Sequence, residues 1–278
     1  MPELPEVETI ARNLRLGTTE QPSLVGRRIL GTNLLWERTL AEPSPGEFEP
    51  RLVGQLVETI GRRGKFLYFQ LSRDWLLFHL RMSGDLLVRS AYTLPESHDR
   101  LLLELEGDIQ LAFNDARKFG RAWLVDEVDQ VLGNLGPEPL DDGLTPDGFY
   151  ARLHATHRQL KPLLLDQTFL AGLGNIYVDE ALNLAKLHPL TPSHTLTEAQ
   201  AVRLLDSVRT VLQEGIFRNG ASIDWVYRGG DFQNYFRVYQ RTGEPCPECG
   251  TLIARILVGQ RGTHFCPHCQ PALILGGG

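Results

Sequence analysis

The sequence predicts a multidomain α+β protein: an N-terminal helix plus β-sandwich, then a helical domain, then a C-terminal zinc ribbon. Residues 3–16 and again about 147–215 space their apolar side chains at the helical period, whereas residues from about 27 to 126 break into short apolar runs separated by Gly, Pro, Asp and Ser. All four cysteines stand near the end, as Cys246-Pro-Glu-Cys249 and Cys266-Pro-His-Cys269. With 278 residues, 42% of them apolar, the chain can bury two or three compact cores.

The first element places Leu4, Val7, Ile10, Ala11 and Leu14 on one helical face, and the prolines at 2 and 5 are tolerable because they fall before or within the first turn. The β-rich stretch follows as Ile29 to Trp36, Leu52 to Ile60, Phe66 to Leu71, Trp75 to Leu80, Leu101 to Leu105, Ile109 to Phe113 and Ala122 to Val125. Their number and spacing suit a sandwich. Asp126 to Pro146, with its charges, Gly and prolines, reads as a hinge, so the expected domains are 1–130, a hinge at 131–146, a helical domain at 147–236 and a zinc finger at 237–271. Helical segments are expected near 147–155, 160–167, 175–187 and 197–214. In the link Leu170-Ala-Gly-Leu-Gly-Asn175 two glycines permit a compressed turn, and Asn175 stands where an N-cap belongs. A helix N-terminus facing outward there would hold an anion such as phosphate.

Sixteen residues separate the two cysteine pairs. That spacing reads as one structural zinc site, a tetrahedron of thiolates with no position left for catalysis, since a reducing cytosol disfavours disulfides. His264 and His268 are not expected as ligands. Arg261, in the turn Gly259-Gln-Arg-Gly262, reads either as a guanidinium presented at a hairpin tip or as a solvated surface arginine.

No run of about 18 uncharged apolar residues occurs and the N-terminus lacks a basic flank with an apolar stretch, so a soluble cytoplasmic protein without membrane association is expected. The net charge of -6 taken alone argues against a nucleic-acid partner, but cations recur in Gly61-Arg-Arg-Gly-Lys65 and Arg117-Lys118-Phe-Gly-Arg121 and at Arg228, Arg237, Arg241, Arg255 and Arg261. An acidic protein can still carry a basic groove.

Three groups of residues have chemical potential. Once Met1 is removed, Pro2 offers a secondary α-amine, of which roughly one in six is neutral at pH 7, against fewer than about one in a thousand for lysine. Its attack on a sugar C1′ gives an iminium, an electron sink for eliminating flanking phosphates. On position alone, a helix-initiating proline is the other reading. Glu3 and Glu6 on the first turn either donate protons or complement the helix dipole. Met82, Arg117 and Phe119 sit in loops, where an apolar wedge with an arginine could fill the space of an extruded base. Taken separately, Met82 and Phe119 read more readily as core residues.

Pro2-Glu-Leu-Pro-Glu-Val-Glu8, Gly64-Lys65, His79-Leu-Arg-Met-Ser-Gly84, Asp115-Ala-Arg-Lys-Phe-Gly120, Gly172-Leu-Gly-Asn-Ile-Tyr177 and the terminal ribbon together resemble the formamidopyrimidine-DNA glycosylase family, in order and across nearly the whole chain. The resemblance implies a monomeric bifunctional glycosylase and lyase of base excision repair, acting on oxidised purines in damaged double-stranded DNA held between its halves. It also implies a helix-two-turn-helix domain with a lesion-recognition loop, and one structural Zn2+ on Cys246, Cys249, Cys266 and Cys269. By motif position, Pro2 is the Schiff-base nucleophile, Glu3 the proton donor for base release, Lys65 a phosphate ligand and proton donor in β-elimination, and Arg261 serves δ-elimination. His79, His98, Arg117 and Asn175 hold DNA, and Met82, Arg117 and Phe119 fill the gap. The trio and Leu4 favour this activity over the endonuclease VIII-like relatives that take oxidised pyrimidines. A damaged-DNA-binding paralogue without catalysis is the reading of another class, against which Pro2, Glu3 and Lys65 count. The sequence departs from the family at Ser222-Ile-Asp-Trp-Val-Tyr227, in the loop that helps close over the extruded base.

Overall fold

The computed structural model describes residues 1–222 and 229–272, in two compact units: Met1–Asn134 with Asn219–Gly230, and Leu135–Arg218 with Asp231–Gly278. The first unit opens with helix α1 (Leu4–Leu16), which buries Leu4, Val7, Ile10, Ala11 and Leu14. The Glu6 carboxylate accepts the Glu3 amide at 2.8 Å, satisfying a donor that the first helical turn leaves free. Gly17, at φ 77°, ends the helix by donating its N–H to Asn13 O.

Strands β1 (Ile29–Leu34) and β2 (Leu40–Glu42) follow, then helix α2 (Pro45–Leu52), then β3 (Val57–Arg63), β4 (Phe66–Leu71), β5 (Trp75–His79), β6 (Gly84–Ser90), β7 (Asp99–Leu105), β8 (Ile109–Asp115) and β9 (Arg121–Val125). The expected strand from Leu52 to Ile60 therefore needs correction. Leu52 ends a helix that Ser44, Pro45 and Glu47 start, with Glu47 accepting from Ser44 and with Phe48 and Leu52 buried. A hydroxyl cap, a proline at the first position and an acid three residues on are a helix-start signal, and they override the apolar run behind them. Strand β6 is an addition that the sequence reading lacked, because Asp85 and Arg89 flank its apolar residues.

The strands form two sheets, β1-β7-β8-β6 and β2-β9-β5-β4-β3, antiparallel throughout except for the parallel β2–β9 pair. One core of buried side chains from both sheets and from α1 fills the sandwich. Phe78 of one sheet meets Phe113 of the other at 5.3 Å between ring centroids, and Phe69 continues the edge-to-face row at 5.7 Å.

After α3 (Asp129–Leu132), the second unit contains α4 (Pro146–His154), α5 (Leu160–Leu164), α6 (Asn175–Leu184), α7 (Glu198–Phe217) and the hairpin β10 (Ala254–Val258) and β11 (Arg261–Phe265). Thr197 caps α7 with Gln200 accepting its amide at 2.8 Å, and Ala201, Leu204, Leu205, Val208, Val211 and Leu212 make the buried face. No helix among the described residues is long and apolar enough to cross a membrane.

Candidate functional site

In the first unit the candidate residues gather at one end of the sandwich. Arg15 of α1 donates to Ile60 O at 3.0 Å and Glu8 accepts from Arg62 at 2.9 Å, so contacts that move toward the start of the helix move toward the end of β3. The helix N-terminus, with Pro2 and Glu3 buried, and the Gly64–Lys65 turn of the β3–β4 hairpin therefore lie at the same end. Gly64 at φ 57° takes the turn position that L-residues resist, which leaves Lys65 to carry the side chain, and that side chain is buried. His79 pairs with Phe66 across the sheet, one residue beyond that turn, with Arg121 opposite it on β9.

His79 is buried, and desolvation holds its imidazole down to about 3, helped by the charges of Arg81 and Lys65. Its Nδ1 accepts the Arg81 amide at 3.0 Å, which assigns the proton to Nε2, a neutral donor suited to a phosphate. The folded state resists protonating a group that titrates near 6.5 when unfolded, so the His79 contribution to stability is complete above that value. It is lost as pH falls from about 6.5 toward about 3. Urea titrations should accordingly show His79→Gln removing up to about one proton, or about 1.4 kcal/mol per pH unit, from the slope in that window. An unchanged slope would contradict this assignment.

Glu6 does more than cap. Its second oxygen accepts the Ala221 amide at 2.7 Å, and Gly220, at φ 83°, lies so close that a Cβ would stand 2.7 Å from Glu6 Cγ. Arg12 adds a 2.6 Å bond to Asn219, and Ser222 exchanges hydrogen bonds with Gly230 at 2.6 and 3.0 Å. One carboxylate thus ties the candidate nucleophile's helix to the segment that precedes the divergent loop. Residues 223–228, and with them most of that departure, lie outside the described residues. Met82 and Phe119 are 38% and 58% exposed, so neither belongs to the core; both project from turns, as do exposed Arg117 and His98.

The second unit holds Asn175, Arg261 and the cysteines. Asn175 is the first helical residue of α6 and Gly174 the N-cap, which corrects the expected cap. The asparagine amide does not turn back to its own helix but donates to Gly262 O at 3.0 Å, while its Oδ1 has no partner among the described residues. Gln167 organises the preceding link by donating to Leu165 O and Leu173 O and accepting from Gly172, whose φ is 101°. Nothing in the sequence marked Gln167.

Gly259 and Gln260, at φ 54° and 63°, form the two-residue turn of the β10–β11 hairpin, with exposed Arg261 directly after it, paired with Val258. Beneath Arg261, Lys161 Nζ donates to Asp179 at 2.6 Å and to Gly262 O at 3.1 Å, and Asp179 also accepts the His264 amide at 2.9 Å. Lys161 and Asp179 are fully buried as a pair, satisfied by backbone from the hairpin. Glu180 beside them accepts three successive amides, from Arg237, Val238 and Tyr239, while burial raises its carboxyl above the usual range.

The four cysteine sulfurs lie within 4.8 Å of one another. Sγ pairs at 4.0 Å (Cys246 and Cys269), 3.4 Å (Cys249 and Cys266) and 3.5 Å (Cys249 and Cys269) bracket the ~3.8 Å edge of a tetrahedron with ~2.3 Å zinc–sulfur bonds. The donor set fits one structural zinc ion.

A β-sandwich opened by an acid-capped helix, a two-turn helical pair and a four-cysteine hairpin define a class of three-module, zinc-bearing proteins. Residues 1–122 match the formamidopyrimidine-DNA glycosylase N-terminal domain, 135–226 the helix-two-turn-helix domain of the same glycosylase, and 243–272 the zinc finger shared with isoleucyl-tRNA synthetase. The formamidopyrimidine-DNA glycosylase of Chloroflexus aurantiacus is 48% identical over 97% of this chain and 98% of its own length, and that of Protochlamydia amoebophila 42% identical over 97% and 99%. Among solved structures, MutM bound to DNA containing carbocyclic 8-oxo-G superposes with a TM-score of 0.89 at 39% identity, covering 98% of this chain and 100% of that one. The Lactococcus lactis enzyme bound to FAPY-dG DNA gives 0.89 at 39%, covering 97% and 100%. The chain belongs to the formamidopyrimidine-DNA glycosylase family.

Proposed function

We propose that this protein is a bifunctional DNA glycosylase and lyase of base excision repair that removes oxidised purines such as 8-oxoguanine and formamidopyrimidines, working as a monomer in the cytoplasm. The observation that carries the reading is the convergence of Pro2, Glu3, Lys65 and neutral His79 at one end of the sandwich. The Pro2 nitrogen attacks C1′ of the extruded nucleoside, and the base departs with the electron pair of the glycosidic bond and takes up the proton that the amine gives up. Glu3 delivers a proton to the ring oxygen as the sugar opens, leaving an iminium. Loss of a C2′ proton then expels the 3′-phosphate, and the second elimination expels the 5′-phosphate. Lys65 and Arg261 hold and protonate phosphate oxygens, while His79, His98, Arg117 and Asn175 bind the backbone. The zinc ion, held by its four thiolates, has no open position and serves the fold of the hairpin that carries Arg261.

Borohydride reduction with an 8-oxoguanine duplex should trap a covalent complex with protein whose Met1 has been removed, and none with protein that retains it. Absence of trapping with the processed chain refutes the nucleophile. A panel of oxidised purine and pyrimidine lesions identifies the substrate, and faster excision of pyrimidines refutes the purine assignment.

A further inference from the structure

The loops bearing Met82, Arg117 and Phe119 share one buried group. Asp115, the last residue of β8, is 1% exposed. One carboxylate oxygen accepts the Ser83 hydroxyl and, at 3.2 Å, the Arg117 amide; the other accepts the Gly120 amide at 2.7 Å. Ser83 Oγ also accepts the Arg117 amide at 3.1 Å, closing a ring between the two loops. The main chain of the same residue reaches a third loop. Its N–H donates to His98 O at 2.8 Å, and its carbonyl accepts Arg100 Nε at 2.8 Å.

Two further features hold these tips in one arrangement. Arg81 and Lys118 sit at φ 55° and 61°, and the Lys118 ammonium rests 4.0 Å above the Trp36 ring. Gly120 has no room for a side chain, since a Cβ would lie 2.4 Å from the Phe113 ring. Met82 and Phe119 are apolar and exposed, and the turns that carry them are held by the hydrogen bonds to Ser83 and Asp115.

We propose that Asp115 is the positioning residue of the DNA wedge: its carboxylate fixes the Met82 turn and the Arg117–Phe119 loop as one rigid unit, so that both enter the duplex together when a nucleotide leaves. The inference rests on the reading that these three residues fill the vacated space. A wedge ordered before binding inserts faster than one ordered during it, because less chain entropy is lost at the moment of entry.

Stopped-flow fluorescence of 2-aminopurine beside the lesion reports insertion and extrusion. Cleavage of a single-stranded abasic oligonucleotide reports the chemistry, which needs no wedge. Asp115→Asn keeps one acceptor but turns a donor toward the Gly120 amide; it should slow the duplex signal at least tenfold while changing single-strand cleavage less than twofold. Ser83→Ala, which removes the hydroxyl shared by the two loops but leaves the carboxylate and its own bonds to the Arg117 and Gly120 amides in place, should slow the duplex signal three- to fivefold and guards against misfolding of the first variant. Met82→Ala with Phe119→Ala is the reference. If the reference is slowed and neither variant is, or if both variants lose duplex and single-strand activity equally, the positioning role is overturned. If the reference itself inserts normally, the wedge reading fails instead.

Discussion

Glu3→Gln is expected to slow base release from an oxidised-purine duplex by about 10²- to 10⁴-fold, the span that a positioned general acid supplies. The side chain is buried at the start of α1, and glutamine matches its shape but has no proton to deliver. The helix should survive, because the Glu3 amide is satisfied by the Glu6 carboxylate whatever side chain stands at position 3. An abasic site already equilibrates with an open aldehyde, so strand cleavage at a preformed abasic site should fall less than about tenfold, far less than base release. Single-turnover assays on the two substrates make the comparison. Equal losses would show that Glu3 supports the fold or the amine and not departure of the base.

Zinc removal is expected to have the second large effect. The apolar cluster around the metal site consists of Val238, Cys246, Ile253 and Cys266 with Cys269 packed against it, so most of its members are themselves ligands. Structural zinc contributes about 10–16 kcal/mol to comparable finger peptides, far more than that cluster can offer alone. Without the metal the β10–β11 hairpin should unfold, and Gly262 and His264 would no longer meet Asn175, Lys161 and Asp179. Chelation, or Cys249→Ala, should lower affinity for lesion DNA by about 100-fold or more, in keeping with the loss of the phosphate contacts proposed for Arg261 and Asn175. Melting of the sandwich should be unaffected. A chromophoric chelator measures released zinc, and a metal-free protein with full affinity would refute the assignment.

The zinc site is legible in the sequence, because its chemistry depends on residue types at fixed chain positions. The two cysteine pairs declare themselves by spacing, whereas Pro2 and Glu3 are singled out by the resemblance, and the strands from Phe66 to Leu71 and Trp75 to His79 are bounded by turn residues on both sides. What was not legible depends on partners far along the chain. Gln167, Asp115 and the Lys161–Asp179 pair look like ordinary polar residues until folding surrounds them with amides and a carbonyl. Asn175 is not the cap because Gly174 takes that position, and its side-chain amide donates instead to a carbonyl 87 residues onward. Helix α2 was obscured by its short length and by the apolar run that follows.

The first unit is assembled from two stretches of chain, since residues 219–230 return to it after the helices. The amide that completes the Glu6 carboxylate is 215 positions downstream. During translation, at about 5–20 residues per second, the sandwich can form many seconds before that amide leaves the ribosome. A chain cut short among the helices would therefore carry a folded sandwich whose first helix still lacks its bonds to Asn219 and Ala221. Incomplete translation products should consequently be poor at breaking DNA strands, a safeguard that follows from the order of the segments alone.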